Sequence, residues 1–217
     1  MKPHAPLTLE EFQHAQDNIL GAAVRTPLVQ LNVDLADTQI YLKLENLQPI
    51  GSFKIRGAAN AMALANQNDL EQGVYTASAG NMAQGIAFNA RRLRIPCRVK
   101  VPDTAPQNKL ESIERLGATA VPLPFDEWWS VICNHGHPSE KGFFIHPVSD
   151  PAVIAGNGTV GLEILSELPD VDSVIVPYGG GGLSCGIGSA LKALRQSIQV
   201  FAAEVETASP FAASLAA

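Results

Sequence analysis

Three short stretches of this chain bring together an amine that can be activated and two sites that can hold anions. The first is Gln48-Pro49-Ile50-Gly51-Ser52-Phe53-Lys54-Ile55-Arg56-Gly57-Ala58. Pro49 and Gly51 break the backbone, Ser52 is a good helix N-cap, and an alanine-rich segment follows. The pattern puts Lys54 in the first turn of a helix, at the positive end of its dipole. That position and any desolvation there disfavour an ammonium group, and a lowered pKa is what a Schiff-base lysine needs. Taken alone, the stretch reads first as an exposed Lys54 and Arg56 on a surface helix.

The second stretch is Ser78-Ala79-Gly80-Asn81-Met82-Ala83-Gln84-Gly85, between a strand and a helix. Small residues let an anion approach the N–H groups at the helix start, and Ser78 and Asn81 can add side-chain hydrogen bonds. The bland alternative is an ordinary connection with Asn81 as cap. The third is Tyr178-Gly179-Gly180-Gly181-Gly182-Leu183. Consecutive glycines carry a backbone-entropy cost that a simple turn does not require, and they expose successive N–H donors suited to a phosphate. No Gly-Lys-Ser/Thr follows, so this is not a P-loop. A dinucleotide fingerprint fails at Cys185, although Glu204 ends the next strand where such a site wants an acid. Cys133, His135 and His137 lack paired ligand spacing and read as solvated rather than metal-binding.

The elements that must position these stretches follow from periodicity. Thr8 and Glu11 form a capping-box pattern opening a helix to about Leu20. Ile40–Leu44 reads as a strand leading into the lysine loop. From Val74 the pattern is strand, loop, helix, repeated: strands at Val74–Ala77, Cys97–Val101 and Thr119–Leu123, with helices after Met82 and from Pro106 to Leu116. Phe125 to Lys141 interrupts the rhythm with a short helix and a loop. The pattern resumes at Asp150–Thr159, with a helix following to about Leu168. A strand at Ser173–Pro177, a helix bearing Leu183, Ile187, Ala190, Leu191 and Leu194, and a strand at Val200–Glu204 come next. Ser209-Pro210 then opens a last helix. This alternation predicts an α/β fold of two open, mostly parallel twisted sheets with flanking helices.

At 217 residues and 46% hydrophobic, the chain can bury a core of one or two domains. A net charge of −6 argues against nucleic acid or an acidic membrane surface as partner. No apolar run reaches transmembrane length, and Met1-Lys2-Pro3-His4-Ala5-Pro6 lacks a signal peptide's hydrophobic segment. Cys97, Cys133 and Cys185 are odd in number and widely spaced, which fits reduced thiols in a cytoplasmic protein.

With these stretches in this order, the chain resembles the fold-type II pyridoxal-phosphate enzymes, in the threonine/serine dehydratase (ammonia-lyase) and serine racemase branch. Leu44-Glu45-Asn46-Leu47-Gln48-Pro49 running into Gly51–Ala58, then Ser78-Ala79-Gly80-Asn81, Pro102-Asp103-Thr104-Ala105-Pro106 with Lys109, Ala155-Gly156-Asn157-Gly158-Thr159 and Gly179–Leu183 carry the likeness. The resemblance implies that Lys54 holds pyridoxal 5'-phosphate as a Schiff base, with Phe53 packed beside it. Asn81 would bond the ring's 3-hydroxyl oxygen, and Gly179, Gly180, Gly181, Gly182 and Leu183 would cradle the phosphate. Ser78, Ala79, Gly80, Asn81 and Met82 would hold a substrate carboxylate. Lys54 would take the Cα proton, and a β-hydroxy amino acid, L-threonine or L-serine, would leave as a 2-oxo acid and ammonia.

Departures from the pattern qualify this. Racemases of the branch place a second serine where this chain has Ala79, so elimination is favoured over racemisation. Met82 stands where the family usually has His. Cation-binding relatives use carboxylates matching Glu204 and the position of Pro210, which leaves Glu204 a weak metal candidate and no metal expected. The family extends past the position of Ala217, so the resemblance implies an incomplete large cofactor-binding domain at 1–69 and 147–217 and a small mobile domain at 70–146. It also implies a homodimer for a full-length chain. The alternatives are a non-catalytic fragment or binding protein of the same fold, a serine racemase-like enzyme, and a nicotinamide oxidoreductase.

Overall fold

The computed structural model describes residues 5–35 and 38–216, so the reading at Met1 to His4 lies outside the described residues. The first helix, α1 (Leu9–Asn18), is started by the expected capping box: Thr8 Oγ1 accepts the Glu11 N–H while the Glu11 carboxylate accepts the Thr8 N–H. The chain then forms β1 (Leu28–Gln30), which pairs antiparallel with β2 (Tyr41–Lys43). A 3-10 turn at Glu45–Leu47 leads to α2 (Lys54–Leu64). This helix begins at Lys54 itself. Phe53 rather than Ser52 occupies the cap position, and the Ser52 hydroxyl still accepts the Lys54 N–H at 3.3 Å.

A short α3 (Gln67–Glu71) precedes the strict alternation β3 (Val74–Ala77), α4 (Asn81–Leu93), β4 (Cys97–Pro102), α5 (Gln107–Arg115), β5 (Thr119–Leu123), α6 (Phe125–Cys133) and β6 (Phe143–Phe144). The four strands make one parallel sheet in the order β5-β4-β3-β6. Central β3 is buried along its whole length, as a parallel strand covered on both faces must be. On one face Met82, Ala83, Ile86 and Ala90 of α4 pack against Val74, Val99 and Val101. On the other, Val131, Trp128 and Ile132 of α6 cover Tyr75 and Ala77. The irregular stretch after Phe125 is therefore the helix that closes the second face. The two-residue edge strand β6 is too short to leave a periodic signal in the sequence.

The remaining elements are α7 (Pro151–Glu167), β7 (Ser173–Pro177), α8 (Gly182–Leu194), β8 (Gln199–Ala203) and α9 (Pro210–Ala216). Asp150 accepts the Ala152 N–H at 2.8 Å and Pro151 sits at the first position of α7. The helix thus starts before the Ala155–Thr159 motif and contains it. It is buried on nearly every side, the signature of a central helix. Two glycines make its close packing feasible. A Cβ on Gly156 would lie 2.5 Å from the Arg56 carbonyl oxygen, and one on Gly186 of α8 would lie 2.5 Å from that of Ile154.

Strands β7 and β8 pair in parallel as a separate two-stranded sheet. The architecture is the expected α/β arrangement of parallel sheets and flanking helices, with the β1–β2 pair as its antiparallel part. Among the described residues no helix is long and apolar enough to cross a membrane.

Candidate active site

Lys54 opens α2 half-buried, with Nζ 5.4 Å from the centre of the Phe53 ring. Burial pushes its pKa down from 10.5 to about 8, so the neutral amine is accessible in mildly alkaline solution. Its Nζ donates to the backbone carbonyl of Pro147 at 2.9 Å.

That contact ties the lysine to the glycine loop. Val148, the next residue, lies beneath it: a Cβ on Gly180 would approach Val148 Cγ1 to 2.6 Å, and one on Gly182 would approach the Val148 carbonyl oxygen to 2.7 Å. Gly181 adopts φ +85° as the cap of α8, a left-handed conformation suited to glycine. Among the described residues, no backbone acceptor pairs with the N–H groups of Gly179 to Leu183. A Cβ on Gly179 would meet nothing within 4 Å. A run of free donors at a helix start beside open space is what a phosphate requires.

The Ser78–Met82 stretch meets Lys54 from another side. One turn along α4 from Asn81, a Cβ on Gly85 would lie 3.1 Å from the Lys54 carbonyl oxygen, so α4 and α2 touch backbone to backbone. Gly80, not Asn81, is the cap of α4, which leaves the exposed Asn81 side chain free of that duty. The Ser78 hydroxyl accepts the Gly80 N–H at 3.2 Å. Met82 is 2% exposed, with its side chain in the core among Val74 and Ile86. Only its backbone N–H is left for an anion. Leu183 likewise packs its side chain on the β7–α8 core and offers the loop its N–H.

A buried ionic network fixes the start of α2, and sequence reasoning missed it. Arg56 is fully buried. Its Nε and Nη2 donate to Glu45 at 2.8 Å each, and its Nη1 donates to Glu163 at 2.6 Å and to Thr159 Oγ1 at 3.0 Å. Nη2 also reaches Glu163 Oε2 at 2.9 Å. Burial works against the guanidinium charge, but its hydrogen bonds to the Glu45 and Glu163 carboxylates, with their negative charge, outweigh it and the pKa is raised. Lys43 extends the network to Glu163 at 2.8 Å and Glu167 at 3.1 Å. The available signal was an acid, Glu163, on the apolar, buried run of α7.

Asn157, in the same helix, donates from Nδ2 to the Gly182 carbonyl at 3.3 Å, linking α7 to the glycine loop. Its buried Oδ1 has no partner among the described residues. The other candidates do not converge. His137 bonds Glu127 at 3.2 Å and Ser139 at 2.9 Å, while His135 stacks on His146. Both carboxylate oxygens of Glu204 accept N–H groups at the start of α9, from Phe211 at 2.8 Å and Ala212 at 3.0 Å. Among the described residues no group of three His, Cys, Asp or Glu side chains is placed to hold a metal.

The lowered Lys54 pKa, the unpaired glycine-loop donors and the open space at Gly179 and Gly80 fit a phosphorylated aldehyde cofactor. Residues 19–217 match the family described as pyridoxal-phosphate dependent enzymes. An L-threonine ammonia-lyase of Thermotoga maritima is 40% identical over 213 residues, covering 96% of this chain and 53% of its own length. A catabolic L-threonine dehydratase of Staphylococcus aureus is 38% identical over 204 residues, covering 92% of this chain and 59% of its own. The serine racemase structure of Dictyostelium discoideum superposes with a TM-score of 0.86 at 36% identity, over 94% of this chain and 67% of that one. The chain spans little more than half the length of the curated relatives it matches.

Proposed function

Because this chain belongs to the pyridoxal-phosphate dependent enzyme family, we propose that it carries its cofactor on Lys54 and serves an ammonia-lyase acting on a β-hydroxy amino acid. L-threonine would give 2-oxobutanoate and ammonia, and L-serine would give pyruvate and ammonia. The observation that carries this reading is the meeting of the glycine loop and the buried amine at Pro147–Val148. When bound, pyridoxal phosphate supplies an electron sink for negative charge at the substrate Cα.

The chain's own residues divide the remaining work. The N–H groups from Gly179 to Leu183 bind the phosphate, and Phe53 and Asn81 orient the ring. The α4 start, Ser78 to Met82, binds the substrate carboxylate. Lys54 in its neutral form takes the Cα proton, favoured by the burial that lowers its pKa. Ala79 has no proton to exchange at the position where racemases of this branch carry a serine, so elimination prevails over racemisation. The threonine ammonia-lyases and dehydratases among the relatives support the substrate class.

The same reading treats residues 70–146 as a small domain and the flanking segments, 1–69 and 147–217, as part of a larger one. The range of the four-stranded sheet, from Val74 to Phe144, supports that division. It also includes a cytoplasmic location and a homodimer for a longer chain.

The half-length match motivates a second reading, a non-catalytic piece of the same fold. An absorbance spectrum with added pyridoxal phosphate, borohydride reduction and peptide mapping, followed by ammonia release from threonine and serine, separates the two. A reduced adduct on Lys54 with ammonia release supports the lyase. An adduct without turnover supports the non-catalytic piece. No adduct on a folded chain overturns Lys54 as the cofactor's anchor.

A further inference from the structure

His146 lies between β6 and α7 in the chain and is only 6% exposed. Its Nδ1 accepts the Val148 N–H at 3.2 Å and the Ser149 N–H at 2.9 Å, and the Ser149 hydroxyl lies 2.9 Å away. Two backbone donors aimed at one ring nitrogen require that nitrogen to be unprotonated. The proton of the neutral ring is therefore on Nε2. Between the two ring contacts the chain makes the bend that holds Pro147 and Val148.

We propose that His146 is a positioning residue for the reactive amine. By gathering the Val148 and Ser149 N–H groups on Nδ1, it sets the turn that points the Pro147 carbonyl at Lys54 and seats Val148 beneath Gly180 and Gly182. One neutral imidazole thereby registers two elements: α2 through Lys54 and α8 through the glycine loop. It acts only through Pro147 and Val148. The inference rests on Lys54 being the reactive amine.

Burial and the neighbouring positive charges keep the ring neutral. His135 stacks on it with ring centres 4.4 Å apart, and Lys54 adds positive charge. Asp150 lines the same cavity, of about 230 Å³. Burial first, then His135, and more weakly Lys54 lower the His146 pKa to about 4, against a smaller opposing effect from the Ile132 backbone. An imidazolium could not accept the two N–H groups, so the turn opens only on strong acidification.

The test reads Lys54 directly, without turnover. The pH midpoint for reductive methylation of Lys54 by formaldehyde and cyanoborohydride is measured on the 217-residue chain by peptide mass spectrometry. Wild type is expected near pH 8. His146→Phe removes the acceptor and loosens the turn. The midpoint should then rise by about one unit or more, toward 10.5, because burial is the dominant influence on Lys54 and outweighs the lost carbonyl contact. His146→Asn keeps a side-chain acceptor and should restore the wild-type midpoint. A folded His146→Phe chain with an unchanged midpoint, or an Asn variant shifted as far as Phe, overturns the proposal.

If the Phe variant does not fold, nitrogen NMR of wild type decides. The ring must be the Nε2–H tautomer at neutral pH, and the amides of Val148, Gly180 and Gly182 must shift with its acid titration. A different tautomer, or amides indifferent to the titration, overturns the proposal. Failure of pyridoxal phosphate to modify Lys54 in wild type instead sinks the functional reading, whatever the midpoints show.

Discussion

Lys54 Nζ and the Pro147 carbonyl oxygen, 93 residues apart in the chain, are 2.9 Å apart in space. The half-buried Lys54 amine is thereby held against the same short turn that supports the glycine loop. Because burial lowers the Lys54 pKa to about 8, its neutral fraction rises steeply between pH 7 and 9. Borohydride-trapped pyridoxal phosphate on Lys54 should increase through that interval, with Lys54→Ala and Lys54→Arg giving no adduct at that position. A trapping profile with its midpoint near 10.5 would show an amine in water rather than a buried one.

Arg56 makes five short contacts to Glu45, Glu163 and Thr159, all within 3.0 Å, in a buried setting. Arg56→Met takes the guanidinium from two carboxylates, of which Glu163 keeps Lys43, and should cost about 3–5 kcal/mol in urea unfolding, the scale for breaking a buried pair from one side. Arg56→Met combined with Glu163→Leu should cost less than the sum of the single changes, since the shared interaction is lost only once. Strict additivity would mean that the network contributes no coupling.

The glycines of the loop should differ in their tolerance of alanine. A Cβ at Gly179 meets open space, whereas one at Gly182 presses on the Val148 carbonyl at 2.7 Å. Gly182→Ala should displace Val148 and weaken pyridoxal phosphate binding by at least about tenfold, the scale of one misplaced contact in a packed anion site. Gly179→Ala should bind within about threefold of wild type, below the ~1.4 kcal/mol that makes a factor of ten. Equal losses in a titration followed by cofactor absorbance would show that the Val148 contact does not matter.

The three thiols should titrate in two classes. Cys133 and Cys185 are exposed, while Cys97 is buried on β4 and burial pushes its pKa up to about 12, only slightly offset by the charge of Arg98. Ellman's reagent at pH 8 should therefore react with two cysteines in the folded chain and with the third only after unfolding. Fast labelling of all three under native conditions would mean that β4 opens readily.

Ile175 and Phe201 are cross-strand neighbours on the outer face of β7–β8, exposed at 72% and 50%. A parallel sheet seldom leaves such a face in water. The 217-residue chain should self-associate with rising concentration in light scattering, and Ile175→Ser with Phe201→Ser should suppress this. Association unaffected by both changes would point to another surface.

Much of this protein was legible in its sequence because the informative patterns are local. Strand-to-helix alternation from Val74 to Glu204, the capping box at Thr8 and the glycine run depend on neighbours a few residues apart, where side-chain period and backbone freedom act directly. The likeness to a family rested on the same short motifs. Pairings across long chain separations were not legible. Nothing in local periodicity says that Glu163 will neutralise Arg56, that Pro147 will accept from Lys54, or that His146 will gather the turn between them. Nor does it say that Met82 will turn its side chain into the core while its backbone stays at the helix start. Those choices follow from how α2, α4 and α8 pack against the sheet and α7, where glycines admit close backbones and every buried charge must find a partner.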